Sequence, residues 1–143
     1  MPIPTTLLTI SVLGVPIYSA RGVTQTLDII EAASVQRRTV NGDLIDLSYA
    51  PFRKYKTTIT CTDQRSPSTD SIFPGLVVQI GCVAELGFPV GGTPNRPVVP
   101  GSEYTEANFT YYRPLLTMMI KSPGIQKVEW QGSVGWTLPA EEV

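Results

Sequence analysis

The 143-residue chain contains no histidine, which removes the commonest general base, the commonest metal ligand and the one side chain that titrates near neutrality when unperturbed. Two cysteines, Cys61 and Cys82, stand 21 residues apart with no Cys-x-x-Cys spacing. A zinc site would need carboxylates to complete it, and a Cys–His nucleophile pair is impossible. Glycine-rich phosphate loops and the Gly-x-Ser-x-Gly elbow are absent from the sequence. Glu31, Asp43, Asp46, Glu85 and Glu129 could in principle supply the paired carboxylates of glycoside hydrolysis. Each has a plainer reading. Asp43 follows a tight turn, Asp46 lies on the polar face of the same hairpin, and Glu85 and Glu129 take outward positions on strands. The chain is therefore read as a non-enzyme, with no catalytic residue, no cofactor, no metal and no small-molecule substrate.

The cysteine spacing has a structural consequence. If the strands bearing Cys61 and Cys82 form a hairpin that turns near Ser71 and Ile72, the two thiols face each other. That geometry permits a cross-strand disulfide worth about 3 kcal/mol. Two buried thiols packed as small hydrophobes are the preferred reading, because nothing indicates an oxidising compartment.

Eleven Lys and Arg against twelve Asp and Glu leave a net charge of −1, and charged residues make up 16% of the chain, low against the roughly 25% of a typical domain. Much of the surface must then be Thr, Ser, Gln, Gly and Pro, which suits a subunit covered by neighbours better than a free monomer. The balance of charge argues against nucleic acid and against an anionic membrane as partners. The densest basic stretch, Arg53-Lys54-Tyr55-Lys56, reads as the solvated face of a strand. Residues 1–20 are apolar but carry no basic residue, and Tyr18 stands where a signal peptidase wants a small side chain. No window approaches the roughly 18 uninterrupted apolar residues of a membrane span. Cytoplasmic synthesis without a signal peptide is expected, and the Asn108-Phe109-Thr110 sequon is read as chance.

Apolar residues recur with period two almost everywhere, which predicts an all-β fold: one domain over residues 1–143, a β-sandwich or barrel of about seven or eight mostly antiparallel strands. Leu8, Ile10 and Val12 alternate with Thr9 and Ser11. Asn41-Gly42 lies between residues 35–40 and 43–47, the signature of a two-residue hairpin turn. Residues 27–33 could form at most one short helix. A long strand runs over residues 52–61, and a polar loop follows over 63–75. In residues 76–86 all even positions are apolar, which predicts a strand at the centre of the core. Residues 87–103, rich in Gly and Pro, are expected as one long irregular loop and as a first candidate for partner contact. Residues 109–121 are strand-like, with Pro114 at an edge or bulge. In residues 128–138, Val128, Trp130, Val134, Trp136 and Leu138 share one parity, so both tryptophans are expected in the core.

On the 109–121 strand, one Tyr of Tyr111 and Tyr112 and one Met of Met118 and Met119 must face outward. Beside Pro114 they would leave an apolar edge for a neighbouring subunit. Tyr111, Tyr112, Pro114, Met118 and Met119 are therefore candidate subunit-contact residues.

Several segments resemble small virion structural proteins of tailed bacteriophages. They are Arg38-Thr39-Val40-Asn41-Gly42-Asp43-Leu44-Ile45-Asp46-Leu47, Phe52-Arg53-Lys54-Tyr55 with Thr58-Ile59-Thr60-Cys61-Thr62-Asp63, Cys82-Val83-Ala84-Glu85-Leu86, and Tyr112-Arg113-Pro114-Leu115-Leu116-Thr117-Met118. The likeness spans most of the chain after Ala20. It implies a non-enzymatic subunit located in the virion, in the tail or head–tail region, that forms a homo-oligomer and contacts other virion proteins. Capsid decoration is a second role of the same kind. The gripping parts would be an N-terminal arm (residues 1–5), the loops 63–75 and 87–103, and the C-terminal tail (residues 139–143). A carbohydrate-binding β-sandwich module stands as an alternative from another class, with Tyr104, Tyr111 or Tyr112 left to stack on a sugar.

Overall fold

The strand Tyr55–Asp63 shows how the chain is organised. Thr57, Ile59, Cys61 and Asp63 are buried, while Lys56, Thr58, Thr60 and Thr62 are exposed, so the period-two pattern separates a core face from an outer face. A computed structural model describes residues 7–11, 15–16, 19–30, 36–47, 54–67, 70 and 72–143. Among these it holds twelve strands and no helix: β1 (Thr9–Ile10), β2 (Thr24–Ile29), β3 (Gln36–Arg38), β4 (Leu44–Asp46), β5 (Tyr55–Asp63), β6 (Val77–Gly81), β7 (Leu86–Pro89), β8 (Tyr104–Glu106), β9 (Phe109–Tyr112), β10 (Leu115–Ile120), β11 (Gly124–Lys127) and β12 (Val134–Glu142). The all-β expectation holds. The count exceeds seven or eight because several expected long strands are broken in two.

The main sheet has the order β1-β6-β10-β12-β5-β2, with β11 also paired to β12. Every pairing is antiparallel. The core face carries Ile59, Cys61, Val78, Ile80, Leu116, Met118, Ile120, Trp136, Leu138 and Ala140, closed by Leu8, Ile10 and Ile72. Burial of each large aliphatic side chain here stabilises by about 1.5–3 kcal/mol. Over β2 and β5 the outer face is a band of small polar residues, with Thr24 opposite Thr60 and Thr26 opposite Thr58.

The sheet curls without closing into a barrel. Gln25, on edge strand β2, bridges the gap beyond β6: its Oε1 accepts from the Val83 and Ala84 amides at 2.7 and 3.2 Å, and its Nε2 donates to Thr57 Oγ1 at 3.1 Å. The segment expected as a short helix begins in β2, where Leu27 pairs with Thr57. Its remainder, residues 31–33, lies outside the described residues, as do Val12, Phe52, Arg53 and the N-terminal arm 1–5.

β10 and β11 run end to end along one side of β12. Ile120 opposes Ala140 and Gly124 opposes Thr137, so three residues, Lys121, Ser122 and Pro123, face two, Leu138 and Pro139. This is a β-bulge, and Pro123 sits where no ladder donor is required. The result is a long hairpin whose far end is the loop 128–133. Residues 139–142 belong to β12, so most of the expected C-terminal tail is strand.

A three-stranded sheet, β7-β9-β8, packs beside the main one. Tyr111 covers Gly87 on the neighbouring strand, where an added Cβ would lie 2.7 Å from the ring. The long irregular loop expected over 87–103 is ordered. Its start is β7, and Pro97 and Val99 bond to Leu115 and Arg113 at 2.8 and 2.9 Å. Arg96 lies 5.2 Å over the Tyr55 ring and pairs with Glu142 at 2.8 Å, tying this segment to β5 and β12.

Candidate interaction surface

The β3–β4 hairpin forms a two-stranded sheet of its own, and among the described residues neither strand packs substantially against any other strand. The hairpin exists as the Asn41-Gly42 signal predicts, but its turn differs. The Gly42 amide donates to Thr39 O at 2.9 Å, Gly42 takes φ of 88°, and Arg38 opposes Leu44. A turn over residues 39–42 followed by a left-handed glycine uses one residue more than a two-residue loop, so the register slips by one. The two-residue turn with two positive φ values occurs instead at Ala107 and Asn108, φ 50° and 68°, between β8 and β9.

Every residue from 36 to 47 except Thr39 is exposed. Val40 stands at the tip, Leu44 on one face, and Ile45 and Leu47 on the other, all exposed. A hairpin that packed on its own core would show apolar residues on one face only. The signal was present in the consecutive Leu44-Ile45 pair, which breaks the alternation.

A second projection is the tip of the β11–β12 hairpin. Trp130 is 93% exposed, and Ile125 and Val128 of the same hairpin are exposed as well. The expectation of two core tryptophans is corrected here. The chain turns at residues 128–131, where the Gln131 amide donates to Val128 O at 3.0 Å, and strand geometry resumes only at Val134. Trp136 is buried, and its Nε1 donates to Ser19 O at 2.7 Å.

The candidate contact residues on the 109–121 segment divide as alternation requires, with Tyr111 and Met119 as the outward pair. Tyr112, Pro114 and Met118 are buried, Tyr111 is half-buried against Tyr104 with ring centroids 5.6 Å apart, and Met119 is exposed. No free apolar edge exists there, because β10 lies between β6 and β12. Met119 stands on the outer face of the sheet opposite Val77. Pro114 occupies the break between β9 and β10, bridged to Val98.

Cys61 and Cys82 are free, buried thiols. The hairpin that would have set them face to face does not form, because β12 and β10 separate β5 from β6 in the sheet. Burial pushes the Cys82 thiol up to about 11 and raises Cys61 with help from the Asp63 carboxylate, so both are protonated near neutrality. Asp63, expected to open a polar loop, ends β5 as a buried carboxylate. Arg21 donates to it from Nη2 at 2.9 Å and from its amide at 3.0 Å, and the Gln64 amide donates at 2.8 Å. The Arg21 bonds outweigh the effect of burial and hold the carboxyl at about 2.

Among the described residues the candidate carboxylates do not converge on a pocket. Asp43 and Asp46 ride on the detached hairpin, Glu85 accepts from Tyr104 Oη at 2.7 Å, Glu129 lies in the exposed 128–133 loop, and Glu31 is outside the described residues. Among the described residues no three His, Cys, Asp or Glu side chains cluster as metal ligands. The outer sheet face holds a shallow groove of about 340 Å³, lined by Thr60, Thr62, Gln126 and Thr137 over Gly124 and Gly135. Comparison with protein-family models, curated proteins and solved structures finds no match for the chain.

Proposed function

We propose that the chain is a non-enzymatic structural subunit of a bacteriophage virion, assembled in the tail or head–tail region through contacts with its own copies and with other virion proteins. The observation that carries the assembly half is the β3–β4 hairpin, whose large apolar side chains have no cover within the described chain. An isolated two-stranded hairpin is marginally stable in water. Clustered exposed apolar side chains mark contact surfaces, and the Trp130 tip adds a second one. The low proportion of charge supports the same reading. The virion half rests on the sequence resemblance. Capsid decoration would use the same contacts.

Proteomics of phage particles purified from the source organism tests this: the chain is expected at stoichiometric abundance beside known structural proteins, and particles that lack it would dismiss the reading. The carbohydrate-binding alternative now draws on Trp130, whose indole is free to stack on a sugar. A glycan array without hits dismisses it.

A further inference from the structure

The small sheet β7-β9-β8 has an outer face built in two rows. Gly87, Tyr111 and Tyr104 oppose one another across the three strands, and so do Pro89, Phe109 and Glu106. Thr110 and Tyr112, of the other parity, are buried. Tyr104 Oη donates to Glu85 at 2.7 Å. Glu85 immediately precedes β7, and Tyr104 opens β8 on the far side of β9, so the Tyr104 side chain crosses β9. There it rests against the Tyr111 ring, with centroids 5.6 Å apart and planes inclined by 31°, while Tyr111 fills the space over Gly87. Tyr104 is still 45% exposed. A ring supported from beneath and pinned at its hydroxyl therefore presents its other side to solvent.

Building on the reading of the chain as an assembly subunit, we propose that this face docks an arginine-bearing segment of a partner protein, with the guanidinium stacked on the Tyr104 ring and paired with the carboxylates around it. The choice of occupant follows from charge. From Glu85 to Tyr112 the charged residues are Glu85, Arg96, Glu103 and Glu106. Arg96 is committed elsewhere, lying over the Tyr55 ring and pairing with Glu142. The three carboxylates are exposed, and none has a cationic partner among the described residues. The hydrogen bond to Glu85 holds the Tyr104 phenol above its usual range, with Glu106 adding to the effect, so the ring stays neutral and keeps its negative face. A cation answers both the ring and the carboxylates, whereas a neutral sugar answers only the ring. Guanidinium suits the site better than ammonium, because it is planar and stacks while its edge donors pair with a carboxylate. Residues 72–143 are described without a gap, so the segments that flank this face in the chain are in place and leave it exposed.

Fluorescence anisotropy of the full chain with a labelled hexa-arginine peptide tests the site, with a hexa-lysine peptide of equal charge for comparison. At about 0.15 M salt, where long-range attraction is screened, the arginine peptide is expected to bind roughly tenfold more tightly than the lysine peptide. Tyr104→Leu removes the platform and should weaken arginine binding about tenfold, to the lysine level. Glu85→Gln with Glu106→Gln should weaken it at least as much. Asp70→Asn with Glu129→Gln removes equal charge elsewhere and should change it less than about twofold. All five side chains are exposed, and circular dichroism confirms that each variant keeps its strands.

Equal affinity for the two peptides, no binding of either, or an equal loss from the Asp70 and Glu129 changes overturns the site. So does a neutral oligosaccharide whose binding is lost in Tyr104→Leu while the arginine peptide still binds, since the ring is then a sugar platform. The subunit reading survives each of these outcomes and falls separately if particles lack the chain.

Discussion

Replacing Asp63 by Asn keeps the shape of the side chain and removes its charge. Hydrogen bonds from Arg21 hold the carboxyl at about 2, against the ordinary 3.8, a difference worth about 2.5 kcal/mol at most. The Arg21 side chain is 42% exposed, so solvent screening brings the expected loss to about 1–2 kcal/mol. The sign follows from the direction of the shift. A carboxyl lowered in the folded state stabilises fully above its unfolded pKa near 4, and that contribution disappears as pH falls through about 2. Urea unfolding of both proteins, followed by tryptophan fluorescence, should therefore show the variant weaker at pH 7, with its midpoint lowered by about 0.5–1 M. The gap should close between pH 4 and pH 2. Other carboxylates titrate equally in both proteins, so their effects cancel in the difference. Arg21→Gln should reproduce the gap, because Arg21 supplies the bonds with the largest effect. A gap of constant size from pH 7 to pH 2, or none at pH 7, would refute the claim that this pair fastens the segment at Arg21 to the end of β5.

The two tryptophans should separate cleanly. Trp136→Phe leaves Ser19 O without its donor and should cost about 2 kcal/mol or more, with the remaining Trp130 emission red-shifted and open to acrylamide. Trp130→Phe should leave stability nearly unchanged and the remaining emission shielded; equal quenching of the two variants would contradict the placement of the 128–133 loop. Ala107→Gly, at φ 50°, relieves a left-handed alanine and should raise the melting temperature by a few degrees, about 0.5–1 kcal/mol. A lowered melting temperature would argue against the two-residue turn. Iodoacetamide should leave Cys61 and Cys82 unmodified in the native protein and label both in urea, whereas unlabelled cysteines in urea would reveal a disulfide.

What the sequence disclosed is what depends on local period. Val78 with Ile80 and Leu116 with Met118 are buried where alternation places them, and β5 keeps its predicted parity to Cys61 and extends it to Asp63. Non-local pairing was not legible. Cys61 and Cys82 are equidistant from a plausible turn, yet β5 chooses β12 and β2, a choice set by which faces bury most surface. Leu27 and Ile29 suit a short helix locally, but edge pairing with β5 overrides that preference. Trp130 was misplaced because even spacing continues straight through a turn; Gln131-Gly132-Ser133 was the punctuation that should have interrupted the count.

The hairpin bears differently on the question of function. Its turn chemistry is strong, so it forms, but its apolar residues fall on both faces and no surface among the described residues buries them. Local rules that agree on a hairpin and disagree on where it packs are explained when the second packing surface belongs to another molecule.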